Sequence, residues 1–344
     1  MRSGGKTAHR LLRVTLASPL IGLALAGSVA AQELPSLEVP VDCDLSTVCS
    51  IQNYVDARPG ADARDYTCGT LTYDGHQGTD FQVPDLATMR YGVAVFAAAA
   101  GTVRNTRDGS PDRGIDAWRR SGKSGEELGN AVAIMHGNGW ETLYGHLRQG
   151  SVTVSPGDRI SAGHPLGMIG LSGKTAFPHV HFQLLHKGQV VDPFSGKSAS
   201  SGCGEETTPL WSPTALSHLG YRGSVLVCGG LAVSEPQRSA IREECPSTTE
   251  APRNAGALVA FAEFGGVRAG DRIRLAIIQP DGRTLVDNEV QLEKTRARQF
   301  RYVGKNRPSE LWQTGSYTAH IVLTRRIADK DRVLIDVGRS LAVR

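Results

Sequence analysis

The sequence lacks the short motifs by which several large enzyme classes are recognised. It has no Gly-Xaa-Ser-Xaa-Gly elbow, which argues against a nucleophilic serine. It has no Gly-Xaa-Gly-Xaa-Xaa-Gly fingerprint and no phosphate-binding loop of the usual form, so dinucleotide and nucleotide chemistry is not indicated. The spacing of its aspartates does not match an EF-hand calcium loop. Any chemistry must therefore come from other residues.

The chain also lacks an excess of charge once its first 31 residues are set aside. The whole sequence has a formal net charge of +4, from 38 Lys and Arg against 34 Asp and Glu. Residues 1–31 hold four of the basic residues and no acidic one, which leaves 34 of each sign in the remainder. Net charge therefore gives no reason to expect nucleic acid or another anionic polymer as a partner.

The first 31 residues have the three parts of a secretory signal peptide. Basic residues lead, an apolar run through residues 20–26 follows, and Val29-Ala-Ala31 provides a small-residue cleavage site. The apolar run is shorter than the about 20 residues that span a bilayer, so no integral membrane segment is expected after cleavage. The sequence thus predicts an exported protein. We expect a periplasmic location, with secretion as the alternative.

The six cysteines all follow the predicted signal peptide, and none lies in a Cys-Xaa-Xaa-Cys spacing. An even number of cysteines in an exported chain predicts disulfides rather than a cysteine-bound metal. The sequence does not resolve how they pair. Proximity favours Cys228 with Cys245, which leaves four to hold the N-terminal segment and the end of the domain that follows it: Cys43, Cys49, Cys68 and Cys203.

Two elements far apart in the chain carry the side chains best suited to metal chemistry. They are His76-Gln-Gly-Thr-Asp80 and His179-Val-His181. On a strand, side chains at i, i+2 and i+4 point the same way, so the pair in each element can share a face. Imidazoles and a carboxylate suit a catalytic zinc, which takes three protein ligands and leaves one position to water. Either element alone is a common accident, so the indication depends on their context.

Glycine-punctuated segments surround these elements in a characteristic order. They lie at residues 92–97, 101–103, 129–134, 142–147, 154–160 and 167–173, and Val191-Asp-Pro-Phe194 ends the series. With these motifs, residues 70–195 resemble the lysostaphin-type zinc metalloendopeptidases, a family of peptidoglycan hydrolases. The resemblance covers a little over a third of the chain.

The resemblance implies a set of five site residues. It assigns His76, Asp80 and His181 as ligands of one Zn²⁺ per chain. It assigns His146 and His179 as the two catalytic histidines. Every member of this set is present in the chain.

The chain departs mildly from the pattern of the family near the second histidine pair. Gln183 stands where relatives often carry Glu, and Phe177-Pro178 replaces a more usual small-residue approach to the first histidine. Neither change removes a ligand. Both can reshape the groove around the site.

The chemistry of such a site follows from its donors. Zinc held by three protein ligands lowers the pKa of bound water to about 7 and polarises an amide carbonyl. A neutral histidine beside the metal can accept the proton of the water, and a protonated histidine can stabilise the oxyanion or protonate the leaving amine. These duties fall jointly to His146 and His179. The expected reaction is amide hydrolysis without a covalent intermediate.

Periodicity and composition predict a mainly β chain. Residues 32–69 form a disulfide-held segment, and 70–198 form a glycine-rich antiparallel β domain that carries the site. Residues 199–217 include a Ser-, Gly- and Thr-rich stretch and read as a linker. Residues 218–344 predict a small β-sandwich, immunoglobulin-like in type. Its predicted core-facing sets are Ile273, Leu275 and Ile277; Tyr317, Ala319, Ile321 and Leu323; and Val333, Ile335 and Val337.

The connection at residues 104–128 is longer than a tight turn requires. Long loops inside compact domains are often functional, so this one is a candidate wall of the substrate groove. In that hypothesis Arg119 or Arg120 contacts carboxylates of a peptide. A solvated loop without such a role is the equal alternative.

These features together predict a zinc endopeptidase that hydrolyses peptide cross-links of bacterial peptidoglycan, with stem peptides as its partner. One alternative is a catalytically silent relative that binds cell wall or activates another hydrolase. Such relatives typically lose ligands, whereas this chain keeps them all. A second alternative is elastolytic cleavage of glycine-rich proteins, which keeps the chemistry and changes the substrate.

Overall fold

The computed structural model describes residues 1, 4–5, 36–121, 124–204, 206–246 and 248–344. The predicted signal peptide lies outside the described residues, apart from three positions at its start. The described residues from 36 onward belong to one compact unit. No helix within the described ranges is long and apolar enough to cross a bilayer.

The first half of the described chain is an antiparallel β domain of short strands. Its strands are β1 (Ser50–Asn53), β2 (Thr79–Gln82), β3 (Ala94–Phe96), β4 (Gly101–Arg107), β5 (Asn130–Gly137), β6 (Trp140–Leu147), β7 (Arg159–Ile160), β8 (Pro165–Met168), β9 (His179–His186) and β10 (Gln189–Val191). The main sheet has the order β1-β2-β9-β6-β5-β4-β7, and β10 pairs with β9. β3 and β8 form a separate two-stranded sheet. The predicted antiparallel β domain is confirmed.

β9 lies inside the main sheet, between β2 and β6. Side chains on a strand alternate between faces. Val180, Phe182 and Leu184 are at most 1% exposed and fill the hydrophobic core. His179 and His181 therefore point to the opposite face, on the same side of the sheet. Alternate residues of β9 therefore face the hydrophobic core, and the residues between them, including the two histidines, face the opposite side of the sheet.

Sequence on both sides of the predicted catalytic domain contributes to its core. Leu37 and Tyr54 are buried in it, and β1 pairs antiparallel with β2. Trp211, from the segment predicted as a linker, is buried in the same core, with its ring centroid 5.4 Å from that of Phe182. The core of this domain therefore draws on sequence from Leu37 to Leu219.

The second half of the described chain forms two further sheets. Its strands are β11 (Val225–Ala232), β12 (Glu250–Ala251), β13 (Ala257–Val267), β14 (Arg272–Ile278), β15 (Thr284–Gln291), β16 (Arg296–Asn306), β17 (Gly315–Ile327) and β18 (Lys330–Val343). One sheet has the order β11-β13-β16 and the other β12-β18-β17-β14-β15. Residues of both sheets share one buried apolar cluster, so the two sheets enclose a common core.

The predicted alternation holds for two of the three strands in this region. Ile273, Leu275 and Ile277 are buried, and the set on β17 from Tyr317 to Leu323 is fully buried. On β18 the prediction is wrong for Val333, which is 59% exposed. A register shift places Ile335 opposite Leu323 but Val333 opposite Thr324, which leaves an extra residue on β18. Such a bulge interrupts the alternation, so Val333, which precedes it, points to the other face of the sheet.

Four short helices occur in the described chain: α1 (Leu86–Tyr91), α2 (Gly114–Ser121), α3 (Pro213–His218) and α4 (Arg238–Glu243). The Asp85 side chain caps α1 by accepting a hydrogen bond from the Thr88 amide. Its other oxygen accepts one from the Cys245 amide, at 2.7 Å. Arg90 on α1 also pairs with Glu243 on α4, at 2.7 Å. The segment around α4 is thereby joined to the first β domain.

The six cysteines form three disulfides. The pairing of Cys228 with Cys245 is confirmed, and it holds the chain after α4 against β11. Cys43 pairs with Cys49 within the N-terminal segment. Cys68 pairs with Cys203 across 135 residues and ties that segment to the end of the β domain. Closing so long a loop restricts the unfolded chain strongly.

The pH dependence of stability provides a first test of the fold. Asp192 is 1% exposed, and burial raises the pKa of its carboxyl to about 7. A folded-state pKa raised from 3.8 favours the protonated form, so its contribution is fully present below about pH 4 and is lost as the pH rises through about 7. We expect that loss to reach ~4 kcal/mol in the free energy of unfolding.

Denaturant unfolding at several pH values measures this effect. In Asp192→Asn protein, whose side chain does not titrate, the stability difference from the unchanged chain should shift steadily in favour of the variant between pH 4 and pH 7. A difference that is constant with pH would contradict the assignment.

Candidate metal centre

Three side chains from opposite ends of the β domain meet beside β9. Asp80 on β2 is paired in register with His181 on β9, and Asp80 Oδ1 lies 2.8 Å from His181 Nδ1. His76, in the turn before β2, places Nε2 3.1 Å from Asp80 Oδ2. One ligand atom from each of the three lies within 4.8 Å of the others, and all three residues are buried. The structure therefore brings the predicted ligand set together.

The donors of this cluster fit a divalent metal ion. His76 Nδ1 donates to the Tyr54 carbonyl at 2.7 Å, which leaves its Nε2 as an acceptor. Among the described residues that Nε2 is buried and has no hydrogen-bond donor as a partner, and it faces the Asp80 carboxylate at 3.1 Å. A buried lone pair without a partner is costly in a protein interior, and a metal would satisfy it. The Tyr54 carbonyl thus holds the imidazole in the tautomer and orientation of a ligand.

The side chains of the cluster shift one another's pKa values. Burial raises the pKa of Asp80, but the charges of His76 and His179 and hydrogen bonds to the carboxylate outweigh it, so the pKa lies well below its usual value. Burial lowers the pKa of His76, yet the Asp80 carboxylate raises it overall. The pKa of His181 is lowered, chiefly by burial. Asp80 is therefore ionised and His181 neutral near neutral pH, as metal ligands must be, whereas the raised pKa of His76 means that a bound metal displaces a proton from its Nε2.

Gly78 allows the His181 ring to lie this close to the turn before β2. A Cβ atom at position 78 would lie 2.6 Å from both Cε1 and Nε2 of His181, and 2.6 Å from the Phe182 carbonyl oxygen. Any side chain there would push the ring out of place. The glycine of the His76–Asp80 element thus has a steric reason.

His146 and His179 lie next to the cluster, with their ring centroids 4.7 Å apart. The ring centroid of His146 lies 6.1 Å from the ring centroid of His181. Each ring is oriented by a carbonyl: His146 Nδ1 donates to Ser172 at 2.8 Å, and His179 Nδ1 donates to Phe177 at 2.9 Å. The Nε2 atom of His179 lies 3.3 Å from Asp80 Oδ1. Both rings thus turn Nε2 away from the backbone.

His146 is held as a neutral base. Burial, followed by the charges of His179 and His181, lowers the pKa of its imidazole well below the ordinary value. Its backbone has φ +59°, a left-handed conformation that is uncommon for a residue with a side chain. Strained backbone of this kind clusters at functional sites.

Asn53 is a member of the site that sequence reasoning missed. It lies on β1, opposite Asp80, and its Nδ2 donates to Asp80 Oδ2 at 2.9 Å. No spacing motif links position 53 to position 80, so only the pairing of β1 with β2 reveals the contact. The signal available in the sequence was a lone asparagine within a β-like run.

We expect Asn53→Ala to weaken metal binding by about 10- to 100-fold, because partners that orient a ligating carboxylate carry effects of that size. Competition with a chelating dye measures the affinity. Asn288→Ala, at an exposed position on β15, is the matched control and should leave the affinity unchanged. Equal affinities for all three proteins would show that Asn53 does not orient the ligand.

In the structure, residues 104–107 of the predicted connection belong to β4, and Asp112 in its remainder supports the site from outside. Asp112 accepts hydrogen bonds from the amides of Gln149 and Leu171, each at 2.8 to 2.9 Å. Leu171 precedes Ser172, whose carbonyl orients His146. Arg119, on α2 within this connection, is exposed and lies 3.6 Å from Asp116. The contact with substrate carboxylates stays a hypothesis for this loop, whereas Asp112 supports the segment that orients His146.

The segment that carries this site is similar to known proteins. Residues 74–193 match the model of peptidase family M23. This segment is an M23 peptidase domain. The chain is similar to the peptidoglycan DD-endopeptidase ShyA of Vibrio cholerae serotype O1, at 31% identity over 34% of this chain and 22% of that protein.

Two further similarities concern the same segment. The murein hydrolase activator EnvC of Escherichia coli is 37% identical over 19% of this chain and 15% of that protein. The solved catalytic domain of a mutant of the prophage-encoded M23 protein EnpA from Enterococcus faecalis is 25% identical, with a TM-score of 0.30, over 46% of this chain and 94% of that one. The chain spans less than a quarter of the length of ShyA and of EnvC.

Proposed function

We propose that this chain is a zinc-dependent endopeptidase that hydrolyses peptide cross-links in bacterial peptidoglycan. The observation that carries the proposal is the convergence of His76, Asp80 and His181 with two further histidines at their side. The similarity of the M23 segment to a protein named as a peptidoglycan DD-endopeptidase supports the substrate class.

His76 would hold the metal through Nε2, Asp80 through its carboxylate and His181 through Nδ1, with one Zn²⁺ per chain. Zinc with three such ligands supplies a bound water of pKa about 7 and a Lewis acid for the scissile carbonyl. A single carboxylate among the ligands leaves a formal charge of +1 at the site, which favours a developing oxyanion.

The residues of the chain manage the protons. His146 is neutral and its Nδ1 proton is engaged with the Ser172 carbonyl, so Nε2 is the atom that can accept a proton from the attacking water. His179 Nε2 lies 3.3 Å from Asp80 Oδ1, beside the cluster. From this position His179 is assigned contact with the oxyanion or the leaving amine. The division of roles between the two histidines is part of the proposal.

A periplasmic location completes the proposal. Three disulfides are typical of an oxidising compartment, and the N-terminal 31 residues have the composition of a secretory signal. Peptidoglycan lies in the same compartment. The stem peptides are the proposed partner, and the near-zero net charge beyond residue 31 gives no support for nucleic acid.

Digestion of purified sacculi beside a glycine-rich peptide tests the substrate. We expect release of soluble fragments from sacculi and slower cleavage of the glycine-rich peptide. The opposite order would favour an elastolytic enzyme. If neither is cut but the chain stimulates another wall hydrolase, the proposed catalytic function is wrong and the chain is an activator, as EnvC is named.

A further inference from the structure

A cavity of about 350 Å³ lies where the second half of the chain meets the loop that precedes β9. On one side it is lined by Leu171, Phe177 and Pro178 of that loop. On the other it is lined by three arginines, Arg238, Arg242 and Arg298. Its volume falls within the range of small-ligand sites. This cavity is distinct from the metal cluster and has no part in the chemistry described above.

The cavity carries an excess of positive charge. Glu263 is its one acidic lining residue in the described chain, against three guanidinium groups. Glu263 Oε1 lies 3.3 Å from Arg238 Nε, and its Oε2 lies 3.1 Å from Arg298 Nη1. Burial lowers the pKa of Arg298 to about 10; Glu263 opposes that shift, while Arg242 and Arg238 add to it. The arginines therefore repel one another, and one buried carboxylate does not compensate them.

Two of these arginines keep donors for a ligand. Every nitrogen of Arg298 already donates one hydrogen bond, since it also donates to Gln52 at 3.1 Å and to Gln82. Within the described residues, Arg238 is bonded only through Nε, which leaves both terminal nitrogens available. Arg242 is bonded there only through Nη2, which donates to the Ala176 carbonyl at 2.6 Å. Arg298 thus forms the fixed floor, and Arg238 and Arg242 present donors to the cavity.

A single aromatic ring separates this cavity from the proposed catalytic histidine. The Phe177 ring stacks on the His179 ring with centroids 4.5 Å apart and planes at 25°. The Arg298 guanidinium carbon lies 5.6 Å from the Phe177 ring centroid. Arg242 bonds the carbonyl of the adjacent Ala176, so the loop at Ala176 and Phe177 connects the arginines to the surroundings of His179.

We propose that this cavity is a subsite for a carboxylate of the substrate, held by Arg238 and Arg242 a short distance from the scissile bond. The forked donors of a guanidinium match the two oxygens of a carboxylate. The inference rests on the proposed function, because cross-linked stem peptides carry carboxylates at their C termini and on acidic side chains. It assigns the second half of the chain a share in substrate selection.

Three synthetic cross-linked peptides test the subsite. The first has all carboxylates free, the second has its C-terminal carboxylate amidated, and the third has its acidic side-chain carboxylate amidated. We expect the unchanged chain to cleave one amidated peptide about 10- to 100-fold less efficiently than the free acid, since hydrogen bonds to charged groups have effects of that size. The peptide that loses efficiency identifies which carboxylate is bound.

Arg238→Gln and Arg242→Gln separate substrate binding from a structural role. Each variant should reduce kcat/KM for the free acid to the level of that amidated peptide while leaving the amidated peptide unchanged. Arg332→Gln, at an exposed position on β18, is the matched control and should keep the full preference.

Two results would overturn the subsite. Equal losses on acid and amide would mean that Arg242 merely supports the loop through the Ala176 carbonyl. Equal cleavage of all three peptides by the unchanged chain would exclude the subsite while leaving the endopeptidase assignment intact. If the unchanged chain cleaves none of them, the proposed function fails and the subsite with it.

Discussion

Asp80→Ala protein is expected to bind no stoichiometric metal and to cleave cross-linked peptidoglycan at least about 10³-fold more slowly than the unchanged chain, since metal catalysis supplies several kcal/mol of transition-state stabilisation. Asp80 contacts His76, His179 and His181 through its two oxygens, so no neighbour can replace it. Elemental analysis of the purified protein measures the metal, and fragment release from sacculi measures the rate.

The control for this variant is Asp116→Ala, which removes an exposed carboxylate on α2. It should retain one metal per chain and the full rate. Asp80→Ala must also be checked for folding, because Asn53 loses its acceptor. A folded Asp80→Ala protein with one bound metal and near-normal turnover would remove Asp80 from the site.

His146→Ala is expected to retain one metal per chain and to lose about 10²- to 10⁴-fold in kcat, the range attributed to a positioned general acid or base. The imidazole is buried and its low pKa keeps it neutral, so it is ready to accept a proton without first losing one. It contacts the cluster only through ring packing, 6.1 Å from His181 between centroids. Metal content and turnover should therefore separate in this variant.

His218→Ala, an exposed histidine at the end of α3, serves as the matched control and should leave both quantities unchanged. Loss of metal from His146→Ala would make this residue a ligand or a support of the ligands. If His146→Ala kept both its kcat and its full metal content, His146 would not take part in proton transfer, and His179 alone would carry that role.

The five candidate site residues came from the resemblance to the lysostaphin-type family, and the structure places His76, Asp80 and His181 together with His146 and His179 beside them. The period of two along β9 sends His179 and His181 to one face and Val180 to the core. Glycine turns between short strands likewise indicate an antiparallel β domain. These signals depend only on residues close together in the sequence, so they can be recognised without knowledge of the fold.

The parts that escaped prediction depend on long-range pairing. Asn53 reaches Asp80 only because β1 adds to the edge of β2. Arg298 reaches Gln52 and Gln82 across more than two hundred residues, and nothing in its own segment marks it. Val333 was assigned to the wrong face because a bulge in β18 breaks the alternation that the sequence suggests. Bulges and contacts between distant segments produce no periodic pattern in the sequence, so the sequence alone does not predict them.

Mass spectrometry of fragments released from purified peptidoglycan, with and without a chelator, tests the whole account most directly. The account predicts intact glycan strands with hydrolysed peptide cross-links, no release after chelation, and recovery when Zn²⁺ is restored. Release of the same fragments at the same rate by metal-free protein would contradict it.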